Sequence, residues 1–156
     1  MVRGWRDGHV VNIHGRAVGK LPIVEGKELK KAYWAKGILS ANVLMWNEVE
    51  PAKACIVIVA EGITDFLTFC AVEWRSPVCV FGATSGGFVA LDVPRNVPIV
   101  TATDHDEAGD AYEAKMRAAM PLHHIARVQL PNGVDVNDYA MASGDVRALV
   151  GDALST

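Results

Sequence analysis

At 156 residues, with 51% hydrophobic and 21% charged residues, the chain is long enough for one compact domain with a full core and little more. No apolar stretch approaches the roughly 20 residues that span a bilayer, and no apolar signal-peptide region opens the sequence, so a cytoplasmic protein without membrane contact is expected. The net charge of −3 is uneven, since residues 1–53 hold nine Lys/Arg and five Asp/Glu, whereas residues 54–156 hold six and thirteen.

Residues 1–53 are predicted to form a small, basic α+β segment that leads into the main domain without a linker. A basic surface suits contact with a phosphate backbone, although a solvated helix face around residues 27–36 is the simpler explanation of the charge alone. The predicted elements are an edge strand or hairpin over residues 8–13, a turn at Gly15-Arg16, a short helix or loop over residues 27–35 and a strand over residues 44–46.

Residues 54–156 alternate apolar strands with helices, which indicates a parallel sheet covered by helices on both faces. We predict an α/β fold with about four parallel strands, whose carboxyl ends meet at one edge of the sheet, where such folds bind ligands. Strands are predicted over residues 55–60, 78–81, 98–103 and 125–130, and helices over residues 64–74, 88–91, 107–120, 136–142 and 145–154.

The cysteines are odd in number and form no CxxC pair, and each lies in an apolar run. Cys55, Cys70 and Cys79 are therefore predicted to be reduced core residues, and no zinc is expected in this chain. Among the four tryptophans, Trp74 is predicted to be core, whereas Trp5 and Trp34 are candidates for stacking on unpaired bases.

Acidic residues follow three of the predicted strands. Glu61 directly follows the first predicted strand. Gly62 is expected to permit a sharp strand-to-helix turn that exposes Glu61 as a metal ligand or general base. Asp65 lies near the start of the next helix, where capping is the simpler role.

Asp104 and Asp106 follow the third strand. Alternate residues point the same way, so both carboxylates can face one divalent cation with His105 turned aside, although an Asp-x-Asp turn alone usually caps a helix. After the fourth strand, Asp135 is a candidate to complete a metal shell, and Asp138 is more simply a first-turn residue of the following helix.

This combination of acidic groups resembles the TOPRIM domain, which is shared by primases, topoisomerases and several nucleases. The resemblance covers about residues 55–154, and it implies a TOPRIM-like sandwich as the catalytic domain over residues 54–156 with residues 1–53 as a lead-in. The matching motif residues are Glu61, Gly62, Asp104, Asp106 and Gly109.

Within that family the chain looks most like the primases and primase-helicases of bacteria and phages. Asp65, four residues after Glu61, is similar to the primase form of the first motif, and residues 131–138 resemble the P-x-G-x-D-x-N-D loop, in which Asp135 matches a metal-facing acid. Residues 7–16 resemble the segment before the primase core, where Arg16 matches a basic residue near nucleotide or template, although a turn residue paired with an acid is almost as good a reading. Lys31 and Lys36 extend that surface in a looser alignment, and Asp65 is grouped with these basic residues as a candidate for nucleotide or template binding.

The resemblance implies metal-dependent nucleotidyl transfer, with primers made from nucleoside triphosphates on single-stranded DNA during DNA replication. Mg²⁺ or Mn²⁺ would be held by Asp104, Asp106 and Asp135, and Glu61 would be a general base or bridging ligand. The zinc-ribbon and the Walker A lysine motif of larger primases are missing from the sequence. An excised domain, or a small phage- or plasmid-type protein with a separate helicase or zinc-ribbon partner, is therefore expected. The alternatives are a TOPRIM nuclease that hydrolyses phosphodiesters and a non-catalytic module that binds nucleic acid or a partner.

Overall fold

The computed structural model describes residues 1–6, 9–16, 21, 23–28, 32–37, 43–82 and 92–156. Lys31 and the predicted helix over residues 88–91 lie outside the described residues. In chain order the strands are β1 Val2–Arg6, β2 His9–Arg16, β3 Ile23–Val24, β4 Lys27–Glu28, β5 Ala32–Trp34, β6 Leu44–Trp46, β7 Ile56–Ala60, β8 Val78–Gly82, β9 Ile99–Ala102 and β10 Ile125–Arg127. The helices are α1 Ile63–Ala71, α2 Glu107–Ala119, α3 Val136–Met141 and α4 Val146–Leu154, with a short 3₁₀ turn at Pro51–Lys53.

The predicted α/β fold is confirmed in the second half of the chain. Four neighbouring strands, in the order β10-β9-β7-β8, are all parallel. Val57, Ile58 and Val59 are buried on both faces of β7, which is why this strand is a continuous apolar run rather than an alternating one. α1 and β10 each end three residues earlier than the sequence pattern predicted, at Ala71 and Arg127.

Helices cover both faces of the parallel strands, as predicted. On one face α1, α3 and α4 contribute Phe66, Val136 and Leu149 to a core that includes Ile58. On the other face α2 contributes Met116. Within the described part of the chain, no helix is long and apolar enough to cross a membrane.

The first half of the chain continues the same sheet in antiparallel fashion. The full order is β10-β9-β7-β8-β6-β1-β2-β5, and β6 joins the two halves by pairing Met45 with Gly82 of β8. Whether residues 1–53 and 54–156 are separate units stays a prediction, because this pairing places both in one sheet without testing their independence.

Two predictions for the first half are wrong, and a third holds in part. Gly15 and Arg16 are not a turn, because they pair with Tyr33 and Ala32 as the end of β2. β2 is not an edge strand, since it lies between β1 and β5, but it forms the predicted hairpin with β1, in which Arg6 pairs with His9. Residues 27–35 contain β4 and β5 instead of a helix or loop. Pairing with strands distant in sequence overrides the local turn and helix preferences here.

The cysteine prediction holds for one residue of three. Cys79 is buried in β8, whereas Cys55 and Cys70 are exposed. Cys55 precedes β7, and Cys70 lies near the end of α1 among residues that face solvent. Trp74 is half-buried after α1, packs against the core and donates its indole N–H to the Phe69 carbonyl at 3.0 Å.

Candidate active site

The carboxyl ends of β7 and β9 bring the first two acidic groups together. Ala60 pairs with Ala102, and the Glu61 N–H donates to the Ala102 carbonyl at 3.2 Å. The side chain of Glu61 then turns towards the next loop, where Oε2 accepts a hydrogen bond from the Asp104 N–H at 3.1 Å. The predicted meeting of these residues at one edge of the sheet is therefore present in the structure.

Glu61 lies in negative surroundings. Burial raises its pKa above the ordinary value, and the carboxylates of Asp104 and Asp106 raise the pKa further. The Asp104 N–H and the Arg127 guanidinium act in the opposite direction. Tyr112 is close enough for the Glu61 charge to add to the effect of burial, which raises the pKa of the tyrosine to about 12. A cation at this edge would relieve the repulsion among the acids.

The Asp-x-Asp turn fills one of the two roles that the sequence left open, that of a helix cap, and metal binding stays a prediction. Asp106 caps α2, because its Oδ1 accepts a hydrogen bond from the Gly109 N–H at 2.8 Å. His105 is turned aside, as predicted, with Nε2 placed 3.2 Å from the Val128 carbonyl oxygen. Asp104 and Asp106 are both exposed, so each presents carboxylate oxygen at the edge of the sheet.

The two motif glycines differ in what the structure requires of them. The predicted turn from strand to helix at Gly62 is present, between the end of β7 and the start of α1. Gly62 has φ −101 and ψ 160, an extended conformation that any residue adopts, so the backbone there does not require glycine. A Cβ on Gly62 would lie 3.4 Å from Asp65 Oδ2, an ordinary contact. A Cβ on Gly109 would lie 2.0 Å from the Asp104 carbonyl oxygen, so only glycine fits there.

Asp65 is buried, with 5% of its surface exposed, and it does not cap its own helix. Its Oδ1 accepts a hydrogen bond from the Asn137 N–H at 3.1 Å, which ties α1 to α3, and Thr68 Oγ1 lies 3.3 Å from the Asn137 side-chain oxygen. Burial raises the pKa of Asp65 to about 6. The Asn137 N–H opposes this rise, and the nearby acids Asp135, Asp104 and Asp138 add to it.

The raised pKa predicts that Asp65→Asn stabilises the protein at high pH. A carboxyl group with a folded pKa of about 6, against 3.8 when unfolded, adds stability when protonated and loses it as the pH rises through 6. The variant should exceed the wild type in free energy of unfolding by about 2 to 3 kcal/mol at pH 8, and the gap should close towards pH 4. Urea unfolding across this pH range, with a metal chelator present, measures the difference in free energy of unfolding. Asp152→Asn, at an exposed site on α4, is the control, and a pH-independent gap would contradict the assignment.

The third acidic group caps the next helix. Asp135 Oδ1 accepts a hydrogen bond from the Asp138 N–H at 2.6 Å, and Asp138 lies in the first turn of α3, as predicted. Asp135 is half-buried and close enough to Asp65 to raise its pKa. Its role as a metal ligand stays a prediction.

The basic candidates lie on the antiparallel half of the sheet. Arg16 ends β2 and is exposed, and Lys36 is exposed in the turn after β5. Because β8, β6 and β1 separate β2 from β7, these two strands are roughly 19 Å apart at ordinary strand spacing. Their roles in nucleotide or template binding stay predictions.

The stacking candidates are only partly described. The Trp5 ring meets Trp46 edge to face, with centroids 5.2 Å apart, and Trp46 stacks on Phe81. Trp5 is thus held within an aromatic group of the protein itself. The side chain of Trp34 lies outside the described residues.

Sequence reasoning missed Arg127, the last residue of β10. Its guanidinium donates to the Asp104 carbonyl and to the carboxylate of Asp110, and it lies 3.3 Å from Glu113 Oε2. The one available signal was a basic residue inside an otherwise largely apolar run, four residues before the loop of residues 131–138.

The carboxylates of Glu61, Asp104 and Asp106 are suitable ligands for a hard cation, although they do not form a complete coordination shell. Among the residues that the structure describes, no three His, Cys, Asp or Glu side chains are grouped as a metal cluster. The side chains that converge on the edge are carboxylates, the ligands that Mg²⁺ and Mn²⁺ prefer. A groove of about 500 Å³ lies elsewhere, beside Trp74 and Arg147 at the amino ends of β7 and β8.

Comparison with known proteins gives a family and a fold. Residues 58–140, which are 83 of the 156 residues, match the family described as Toprim-like. No curated protein matches the sequence. The RNA polymerase domain of the primase DnaG from Mycobacterium tuberculosis has a similar fold, with a TM-score of 0.64 and 19% identity, and the match covers 99% of this chain and 53% of that one.

Two other solved structures are similar. A structure of the bacteriophage T7 lagging-strand DNA polymerase, interacting with primase domains of two gp4 subunits, gives a TM-score of 0.62 and 19% identity over 97% of this chain and 76% of that one. A DNA primase domain from Pseudomonas aeruginosa gives a TM-score of 0.54 and 15% identity, and the match covers 94% of this chain and 48% of that one. The chain thus spans about half the length of the two bacterial primase structures. It belongs to the Toprim-like family, and its fold is that of a primase-type TOPRIM domain.

Proposed function

We propose that this chain is a primase-type catalytic core that carries out metal-dependent nucleotidyl transfer and makes primers on single-stranded DNA. One observation carries the proposal: the hydrogen bond between Glu61 and the Asp104 N–H, 3.1 Å long, joins two motif acids that are 43 residues apart. The bond lies at the carboxyl edge of adjacent parallel strands, where α/β folds bind their ligands.

In this proposal Asp104, Asp106 and Asp135 would hold Mg²⁺ or Mn²⁺, which would supply positive charge to neutralise the triphosphate. Glu61 would accept the proton of the attacking 3′-hydroxyl or be a further ligand of the cation. A glutamate with a raised pKa is a stronger base than an ordinary one, which suits it to that proton transfer. Asp106 would remain the cap of α2 through one oxygen and bind the cation through the other.

Nucleotide and template binding is assigned to Arg16, Lys31 and Lys36. Asp65, predicted to share this role, has only 5% of its surface exposed and accepts a hydrogen bond from the Asn137 N–H, so it is left out of the assignment. The T7 structure describes its primase domains as bound to an RNA/DNA hybrid and dTTP, which supports the same classes of ligand here. A separate helicase or zinc-ribbon domain is the proposed protein partner, in a cytoplasmic setting.

The test is incorporation of labelled nucleoside triphosphates on single-stranded DNA with Mg²⁺ or Mn²⁺. The wild type is expected to form short primers, and Asp104→Asn should lose at least about 90% of the product, because the amide cannot neutralise a cation. The control is Asp152→Asn, which makes the same chemical change at an exposed site on α4. Synthesis that persists in Asp104→Asn would refute the site.

The same assay separates the alternatives. Metal-dependent cutting of the DNA template without incorporation would indicate a phosphodiester hydrolase, in which the same acids activate water. If neither product forms while the protein binds single-stranded DNA, the chain is a binding module.

A further inference from the structure

We infer that Arg127 is a positioning residue for the proposed active site: its guanidinium holds the Asp104 peptide where the Asp104 N–H binds Glu61. The effect of Arg127 on catalysis rests on the proposed function. The contacts that support the inference are those of the described residues, and they involve none of the acids assigned to the metal except through the backbone of Asp104.

Arg127 is positioned to act on the backbone. Only 13% of its side chain is exposed, at the end of β10 beside the loop that follows β9. Nη2 donates to the Asp104 carbonyl and lies 3.4 Å from the Thr103 carbonyl oxygen. Nη1 faces the carboxylates of Asp110 and Glu113 on α2. The guanidinium therefore connects β10, α2 and the Asp104 loop through one planar group.

Asp104 is held on both sides of its Cα atom. Its N–H donates to Glu61, and its carbonyl accepts from Arg127 and packs against the glycine backbone at Gly109. With both flanking peptides fixed, the direction of the Asp104 Cα–Cβ bond is fixed as well, and this bond sets the region that the carboxylate can reach. Residues that orient metal ligands in this way are commonly worth 10-fold to 100-fold in metal affinity or activity.

Neither a neutral side chain nor a lysine can make all the contacts of the Arg127 guanidinium. The planar guanidinium donates in two directions at once, whereas a lysine ammonium is a point charge on a flexible stem. Arg127→Lys keeps a positive charge near Asp110 and Glu113, so we expect it to fold, but it loses the simultaneous bond to the Asp104 carbonyl.

Arg117 provides a matched control. It also binds Glu113, through Nε and Nη2, but it is half exposed and makes no described contact with Asp104. Arg117→Met therefore removes an ion pair from the same acidic side chain without touching the site. Arg117 is half exposed, and Glu113, which is 12% exposed, keeps Arg127 as a partner at 3.3 Å, so the variant should lose little stability.

Two measurements test the inference. Amide hydrogen exchange by NMR reports the Asp104 N–H directly, and calorimetric titration with Mn²⁺ reports the metal affinity. In Arg127→Lys and Arg127→Met we expect exchange at Asp104 to become at least about 10-fold faster and Mn²⁺ to bind about 10-fold to 100-fold more weakly. Arg117→Met should match the wild type in both.

The outcomes separate this inference from the proposed function. If folded Arg127→Lys keeps wild-type exchange at Asp104, Arg127 does not position that peptide and the inference is overturned. Faster exchange with unchanged Mn²⁺ affinity would reduce Arg127 to a purely structural residue and would also overturn it. If the wild type itself binds no Mn²⁺, the metal-dependent function fails, and the Asp104 exchange rate alone decides the positioning role.

Discussion

Replacement of Glu61 by glutamine is expected to lower primer synthesis by at least about 100-fold, the usual contribution of a general base. Glutamine has the same shape, and its side-chain oxygen can still accept the Asp104 N–H that Glu61 Oε2 accepts at 3.1 Å. The backbone of the site should therefore stay in place while the charge and the basic oxygen are lost. Steady-state incorporation of labelled nucleotide at fixed Mg²⁺ measures the effect.

Stability provides the internal check on this variant. Because burial and the neighbouring carboxylates raise the pKa of Glu61, its charge destabilises the metal-free fold, so Glu61→Gln should unfold at the same or a higher urea concentration. Glu73→Gln, at an exposed position after α1, is the matched control and should keep wild-type activity. A folded Glu61→Gln protein with wild-type activity would remove Glu61 from the chemistry.

The parallel half of the fold could be predicted because its signals are local. β7, β8 and β9 are buried on both faces and consist almost entirely of apolar residues. Glu61 follows β7 directly, and Asp104 comes two residues after the end of β9. Parallel topology then brings the carboxyl ends to one edge, so Glu61 and Asp104 could be placed together without coordinates.

The antiparallel half could not be predicted, because its structure depends on partners distant in sequence. Gly15 and Arg16 carry a local turn preference, but pairing with Tyr33 and Ala32 makes them part of a strand. In β2 the apolar stretches are short and buried residues alternate with exposed ones, so the sequence pattern is weak.

Some site residues were also hidden from sequence reasoning. Arg127 acts through its hydrogen bonds to the Asp104 loop and α2, which no spacing rule gives. Likewise, the motif match gave no reason to distinguish Gly62 from Gly109. The structure distinguishes them by what surrounds each Cα atom, and this difference has a measurable consequence.

Gly109→Ala is expected to damage both stability and activity. The new Cβ would lie 2.0 Å from the Asp104 carbonyl oxygen and 3.1 Å from the Asp104 carbonyl carbon, and both are backbone atoms. That peptide cannot yield easily, since Arg127 holds its carbonyl and Glu61 holds the N–H of the same residue. Overpacking of this kind costs about 3 kcal/mol, of which the better helix propensity of alanine recovers about 1 kcal/mol.

The net loss should therefore be about 2 kcal/mol in free energy of unfolding, with about 100-fold lower primer synthesis from the displaced Asp104. Two glycine variants serve as controls. Gly62→Ala meets only ordinary contacts and should be tolerated, and Gly151→Ala, in α4 with nothing within 4 Å of the new Cβ, should gain up to about 1 kcal/mol. Urea unfolding of all three, with the primer assay alongside, makes the comparison. If Gly109→Ala proves as stable and as active as Gly62→Ala, α2 does not pack on the Asp104 loop in the way described, and the geometry of the proposed site is wrong.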